Sequence, residues 1–159
     1  MRILSITAQK PHSTGSGVYL TETVCGFKEL GHTQAVIAGV TREDSVKLPE
    51  GVRFYPVYYN SPELPFPVCG MSDEMPYEST RYRDMKPDMV DKFEAAFGST
   101  VLRAVKEFRP DVVICHHLYL LAAIVREKLP DMAGWAYATA PTFARCTPTP
   151  SSARGYAGG

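Results

Sequence analysis

The sequence predicts an α/β fold, a three-layer domain with helices on both faces of a mainly parallel sheet. Three observations carry that expectation. Short, β-branched apolar runs recur at residues 2–8, 34–39, 52–57 and 112–115. Stretches with helical spacing of apolar side chains lie between or after them, at 16–31, 87–108 and 118–129. The first strand, helix and second strand follow one another before residue 40, which is the βαβ unit that closes right-handed onto a parallel sheet.

Each element has its own reason. Residues 2–8 (RILSITA) are a buried-strand run that ends in a polar loop. Leu20, Thr23, Val24, Phe27 and Leu30 then form one stripe of a helix, and Gly31 suits its left-handed stop. Residues 34–39 (QAVIAG) and 52–57 (VRFYPV) are the next strands, separated by a charged loop with Pro49 and Gly51. From 58 to 85 the period disappears among Pro62, Pro65, Pro67 and Pro76. A loop of that length is either functional or mobile. Tyr77, Arg81, Tyr82 and Arg83 are the residues with which it would close over a ligand, but a solvated excursion is the reading preferred here.

Helical spacing returns at 87–108 through Val90, Phe93, Phe97, Val101, Val105 and Phe108. Gly98 reads as a flaw in that helix, worth about 1 kcal/mol against alanine. The break Arg109-Pro110-Asp111 leads into a fourth strand, 112–115 (VVIC), with His116 and His117 at its carboxyl end. Leu121, Ile124, Val125 and Leu129 mark the last helix. Past Pro130 the chain turns to Ala, Thr, Pro, Ser and Gly, with little to bury against its ordering entropy. The expected organisation is a Rossmann-like domain over 1–131, incomplete as it stands, and an irregular tail over 132–159.

Bulk properties exclude several classes. A chain of 159 residues suffices for one domain, which buries roughly 70% of its unfolded surface. Seventeen basic and seventeen acidic residues cancel, and no Lys/Arg run stands out, so nucleic acid and anionic lipid are not expected partners. The first residues lack the apolar stretch of a signal peptide, and nothing approaches the ~20 apolar residues of a membrane span. Cys25, Cys69, Cys115 and Cys146 are widely spaced without a C-x-x-C pair. No metal or redox motif is therefore expected, and a cytoplasmic protein with free thiols is the simplest reading.

In parallel α/β sheets ligands sit at the carboxyl ends of the strands, where the strand order reverses. Two features of this sequence belong there: the loop Gln9 to Gly17 after the first strand, with Thr14-Gly15-Ser16-Gly17 just before the first helix, and His116-His117 after the fourth strand. Glycines admit close backbone approach, and a helix start offers free N–H groups to an anion or polar oxygen. The alternative for the glycines is a plain helix cap. A dinucleotide fingerprint would need a small residue in place of Leu20 and an acid near the end of the second strand, which instead reads Ala38-Gly39-Val40. Of the two histidines, which leave a strand in opposite directions, at most one is expected to face the crevice. A metal held by Cys115, His116 and His117 is not expected, because three consecutive residues rarely converge on one ion.

The segments R-I-L-S-I-T, G-S-G-V-Y-L-T-E-T and F-K-E-L-G-H-T-Q-A-V-I-A-G resemble the opening of the family 4 retaining glycosyltransferases of the GT-B fold. The stretch R-P-D-V-V-I-C-H-H-L-Y-L-L-A resembles that family's fourth-strand region, where a histidine-bearing loop lines the cleft. The resemblance covers about residues 2–129 and implies the acceptor-side half of the enzyme. It implies a nucleotide-sugar as donor substrate and a sugar acceptor as partner, with no other cofactor. It implicates Gly15, Ser16 and Gly17, with His116 and His117, in substrate binding, and assigns no catalytic residue.

The family continues into a fifth strand and a His-Gly-Thr-Asp turn that this sequence does not show. Codons for Trp135 to Cys146, entered at the third base of the first, permit Gly-Leu-Cys-His-Gly-Thr-Asp-Leu-Arg-Gln-Met. The tail is therefore expected to be a shifted-frame ending on a truncated gene. On that expectation the chain alone would not turn over, and its fourth strand would lack a neighbour, leaving an edge open to self-association. Two other classes stay open: a non-catalytic module binding a nucleotide or another small ligand, and a dehydrogenase, which NAD binding would indicate.

Overall fold

The computed structural model describes residues 1–70, 72–117 and 119–132, and the backbone of 135–137. Five strands form one parallel sheet: β1 (Arg2–Thr7), β2 (Thr33–Val40), β3 (Arg53–Tyr58), β6 (Val112–Cys115) and β7 (Trp135–Tyr137). They lie in the order β3-β2-β1-β6-β7. Helix α1 (Gly15–Glu29) joins β1 to β2, α2 (Pro87–Phe108) precedes β6, and α3 (Leu120–Lys128) follows it. The α/β class and parallel sheet expected of the sequence are what the chain adopts.

Alternation along the strands sorts side chains to two faces. Leu4, Ile6, Ala35, Ile37, Val113 and Cys115 join Phe93, Phe97 and Val101 of α2 and Ile124 and Val125 of α3 in the larger cluster. Val36 and Ala38 meet Leu20 and Val24 of α1 in the smaller one. The register Ser5↔Val36 and Ser5↔Ile114 puts β1 in the middle of the sheet.

Two expectations need correction. The segment 58–85 is not a solvated excursion. Tyr59, Leu64, Phe66, Val68 and Cys69 are buried in the main core, and Tyr77, Tyr82 and Met85 pack against it. Two short parallel strands within it, β4 (Cys69–Gly70) and β5 (Thr80–Arg81), lead into a 3-10 turn at Tyr82–Asp84. Its apolar residues are spaced irregularly because they plug one end of the core rather than cover a stripe.

A Cβ at Gly98 would stand 3.2 Å from Lys128 Cε of α3, the far end of a flexible side chain that can shift aside.

Finally, β6 has a neighbour on its outer side: Trp135–Tyr137 pairs with Val113–Cys115 as a fifth parallel strand inside the segment expected to be irregular. The expected open edge, and self-association through it, therefore fall away for β6. The opposite border of the sheet is β3, where Pro56 removes one ladder donor and blunts pairing with another chain. The rest of the expected tail, 138–159, lies outside the described residues.

Candidate functional site

From β1 the chain steps sideways to β2 and β3, then returns to lay β6 on the other flank of β1. This reversal opens a crevice between the carboxyl ends of β1 and β6. Residues 8–14 leave β1 on one side of it, and His116 and His117 leave β6 on the other. The glycine loop and the histidine pair therefore share one rim. His116 is tied to β1 and α1: its amide donates to the Ile6 carbonyl at 3.0 Å. The His116 ring also meets Tyr19 of α1 edge-on, with centroids 5.9 Å apart at 65°.

The α1 amino terminus is built by its own residues. Thr14 is the N-cap, its Oγ1 accepting from the Gly17 amide at 3.1 Å, and its carbonyl accepts from the Val18 amide. Ser16 Oγ donates to Gln9 Oε1 at 3.0 Å, fixing the amide of a residue that is 2% exposed. Among the described residues, the Gly15 and Ser16 amides carry no hydrogen bond, so they are the donors this helix start leaves over.

The two glycines differ in role. A Cβ on Gly15 would meet nothing within 4 Å, whereas one on Gly17 would lie 2.6 Å from the Lys10 carbonyl oxygen and 2.9 Å from the His12 nitrogen. Gly17 is thus required by the loop folding back on the helix, and Gly15 leaves open space at its tip.

That loop is tethered. Lys10 Nζ donates to Asp44 Oδ1 at 2.8 Å, and His12 Nε2 lies 2.7 Å from the Lys47 carbonyl. Burial raises the Asp44 carboxyl, but its bonds from Lys10 and Thr41 outweigh this and hold it below the usual range. Tyr59 reaches from the plug to donate to the Ala8 carbonyl at 3.2 Å. Gly39 makes room for this contact, since a Cβ there would sit 2.2 Å from the same oxygen.

His116 is 1% exposed and His117 half-buried. Neither ring nitrogen of His116, nor Nε2 of His117, nor Nε2 of Gln9 has a partner among the described residues. Each such buried group costs about 1–3 kcal/mol relative to a paired one. Burial, helped by neighbouring His117, pushes the His116 pKa down to about 4, and burial also lowers that of His117. Both are therefore neutral imidazoles at pH 7, each able to donate at one nitrogen and accept at the other.

Cys115 belongs to the opposite face of the sheet, in the main core, and burial pushes its thiol up to about 12. It has no part in the crevice. Among the described residues no group of three or more His, Cys, Asp or Glu side chains could hold a metal ion. No described helix is long and apolar enough to cross a membrane.

Beside the crevice, at the start of α3, Tyr119 stacks on Tyr82 with centroids 5.2 Å apart at 23°. A cavity of about 250 Å³ adjoins this pair, lined by Gly70, Ser72, Asp73, Arg81, Tyr82, Arg83 and Tyr119. Gln9 opens the loop expected at the rim, but Tyr19 and Tyr119 were not singled out in the sequence. The one signal available for Tyr119 was position, a few residues past a strand's carboxyl end.

No protein-family model matches the chain, and no curated protein matches it. The fold is thus what the chain itself shows: a Rossmann-like α/β domain with enclosed polar side chains near the carboxyl ends of β1 and β6.

Proposed function

We propose that this chain is the acceptor-side half of a family 4 retaining glycosyltransferase, with the β1–β6 crevice as its acceptor cleft. One observation carries the reading: near the carboxyl ends of β1 and β6, imidazole and amide nitrogens of His116, His117 and Gln9 are enclosed and have no partner among the described residues. A hydroxyl-rich ligand offers both donors and acceptors to such groups, which an apolar ligand does not. The sequence resemblance supports the same reading, because its glycine-bearing and histidine-bearing pieces, Gly15–Thr23 and Val112–His117, include residues next to the carboxyl ends of β1 and β6.

In this reading the half-buried ring of His117 takes up an acceptor hydroxyl while enclosed His116 stays packed against Tyr19, and Gln9, held by Ser16, adds an amide donor. The leftover Gly15 and Ser16 amides, at the positive end of α1, favour a phosphate oxygen of the donor substrate. Those same amides favour a second reading, a nucleotide-binding module without chemistry.

Ligand-observed NMR with free saccharides, mononucleotides and NAD separates the two. Saturable saccharide binding that His117→Ala weakens at least tenfold supports the transferase reading. Binding of a mononucleotide or NAD with no saccharide binding overturns it.

A further inference from the structure

Tyr119 is 52% exposed, unusual for so large a ring. It is nonetheless held in place. Its inner face stacks on Tyr82, and Tyr82 meets Phe93 of the core edge-on, with centroids 6.3 Å apart at 73°. A ring backed in this way presents its outer face with little rotamer freedom left to lose on binding.

The neighbouring cavity supplies polar groups of both kinds. Asp73 Oδ1 accepts from Arg83 Nη2 at 2.6 Å and lies 3.7 Å from Arg81 Nη1. Arg81 Nε donates to Asp84 Oδ2 at 2.5 Å. These side chains are 43–66% exposed, so their ion pairs contribute little and exchange readily with a ligand. Each guanidinium has five N–H donors, and each carboxylate about four acceptor sites, so spare capacity of both kinds remains.

We infer that the Tyr119 face and the Asp73–Arg81–Arg83 cavity form a subsite for one neutral pyranose ring. The apolar C–H face of such a ring lies flat on an aromatic ring, while its adjacent hydroxyls match a carboxylate and a guanidinium side by side. Size agrees: about 250 Å³ falls just short of the roughly 300–1,000 Å³ of pockets that take drug-sized ligands. Charge argues against a phosphate or a nucleotide, since Arg81 and Arg83 are balanced by Asp73 and Asp84. Lying two residues past His117, the subsite extends the crevice, and the inference rests on the transferase reading in taking its ligand to be part of the acceptor.

The test is saturation-transfer NMR on the full chain with the methyl α-pyranosides of glucose, mannose and galactose, each titrated to a Kd. Tyr119→Ala weakens the bound glycoside about tenfold, the value of one aromatic contact, and Tyr119→Phe stays within about twofold of the parent. Arg83→Ala weakens it as well, and circular dichroism checks that each variant keeps its fold. A glycoside that binds the parent and Tyr119→Ala equally overturns this subsite and leaves the crevice reading standing. A parent chain that binds none of the three overturns both.

Discussion

The most informative perturbation of the crevice is His116→Phe. The imidazole is enclosed, its two nitrogens have no partner among the described residues, and its pKa is pushed from 6.5 to about 4, by burial first and His117 second. That drop corresponds to about 3 kcal/mol, at ~1.4 kcal/mol per tenfold change in proton affinity. As pH falls through 6.5 the unfolded chain takes up a proton that the folded chain refuses until about pH 4. The contribution is therefore complete above 6.5, declines through the interval, and is gone below about 4.

Phenylalanine removes both the titration and the two orphaned nitrogens while keeping a ring against Tyr19. At pH 7 the variant is expected to be at least as stable as the parent, by about 1 kcal/mol. At pH 4.5 its advantage widens by a further ~2–3 kcal/mol. Urea unfolding followed by circular dichroism at pH 7.0, 5.5 and 4.5 reads this difference directly, because the carboxylates titrate alike in both proteins. Asp44, held below its usual range, keeps its contribution until lower pH. Parallel pH curves for parent and variant would refute the reasoning, since they would mean that His116 is already satisfied or charged in the folded chain.

Other expectations are simpler to check. Gly17→Ala drives a methyl to 2.6 Å from a backbone oxygen. An overpacking cost of ~1–3 kcal/mol then exceeds the ~1 kcal/mol gain in helix propensity, and thermal unfolding shows a lower midpoint. Gly15→Ala, with open space around it, leaves the midpoint unchanged or slightly raised. Tyr59→Phe removes a buried bond to the Ala8 carbonyl and costs about 1 kcal/mol by urea titration. Maleimide labelling at pH 8 with peptide mapping modifies half-buried Cys25 well before Cys69 or Cys115, whose burial raises their thiols to about 11 and about 12.

Elements with a strong period were legible before the structure. Helix α2 spans Pro87–Phe108 as its phenylalanine and valine spacing predicts, and β6 spans Val112–Cys115 as its apolar run predicts. The 58–85 plug was not legible, because Tyr59, Leu64, Phe66 and Val68 reach the core from irregular backbone and no period marks such residues. The strand Trp135–Tyr137 was missed because three residues set among Ala and Thr carry no local signal, and pairing with β6 defines it. At the site, the residue types and their rim position could be read from the chain. The division of labour between Gly15 and Gly17 could not, since it depends on where Lys10 and His12 come to lie.

The central place of β1 has a consequence for how the molecule comes into being. Arg2 bonds to Asp111 across a separation of 109 residues, and Ile6 aligns with Cys115. Strand β1 therefore waits with one side bare until more than a hundred further residues have followed it. Closing so large a loop is slow and entropically costly. During synthesis the β1–α1–β2 unit can form early, but the rim shared by β1 and β6 is completed only late, once the returning strand docks.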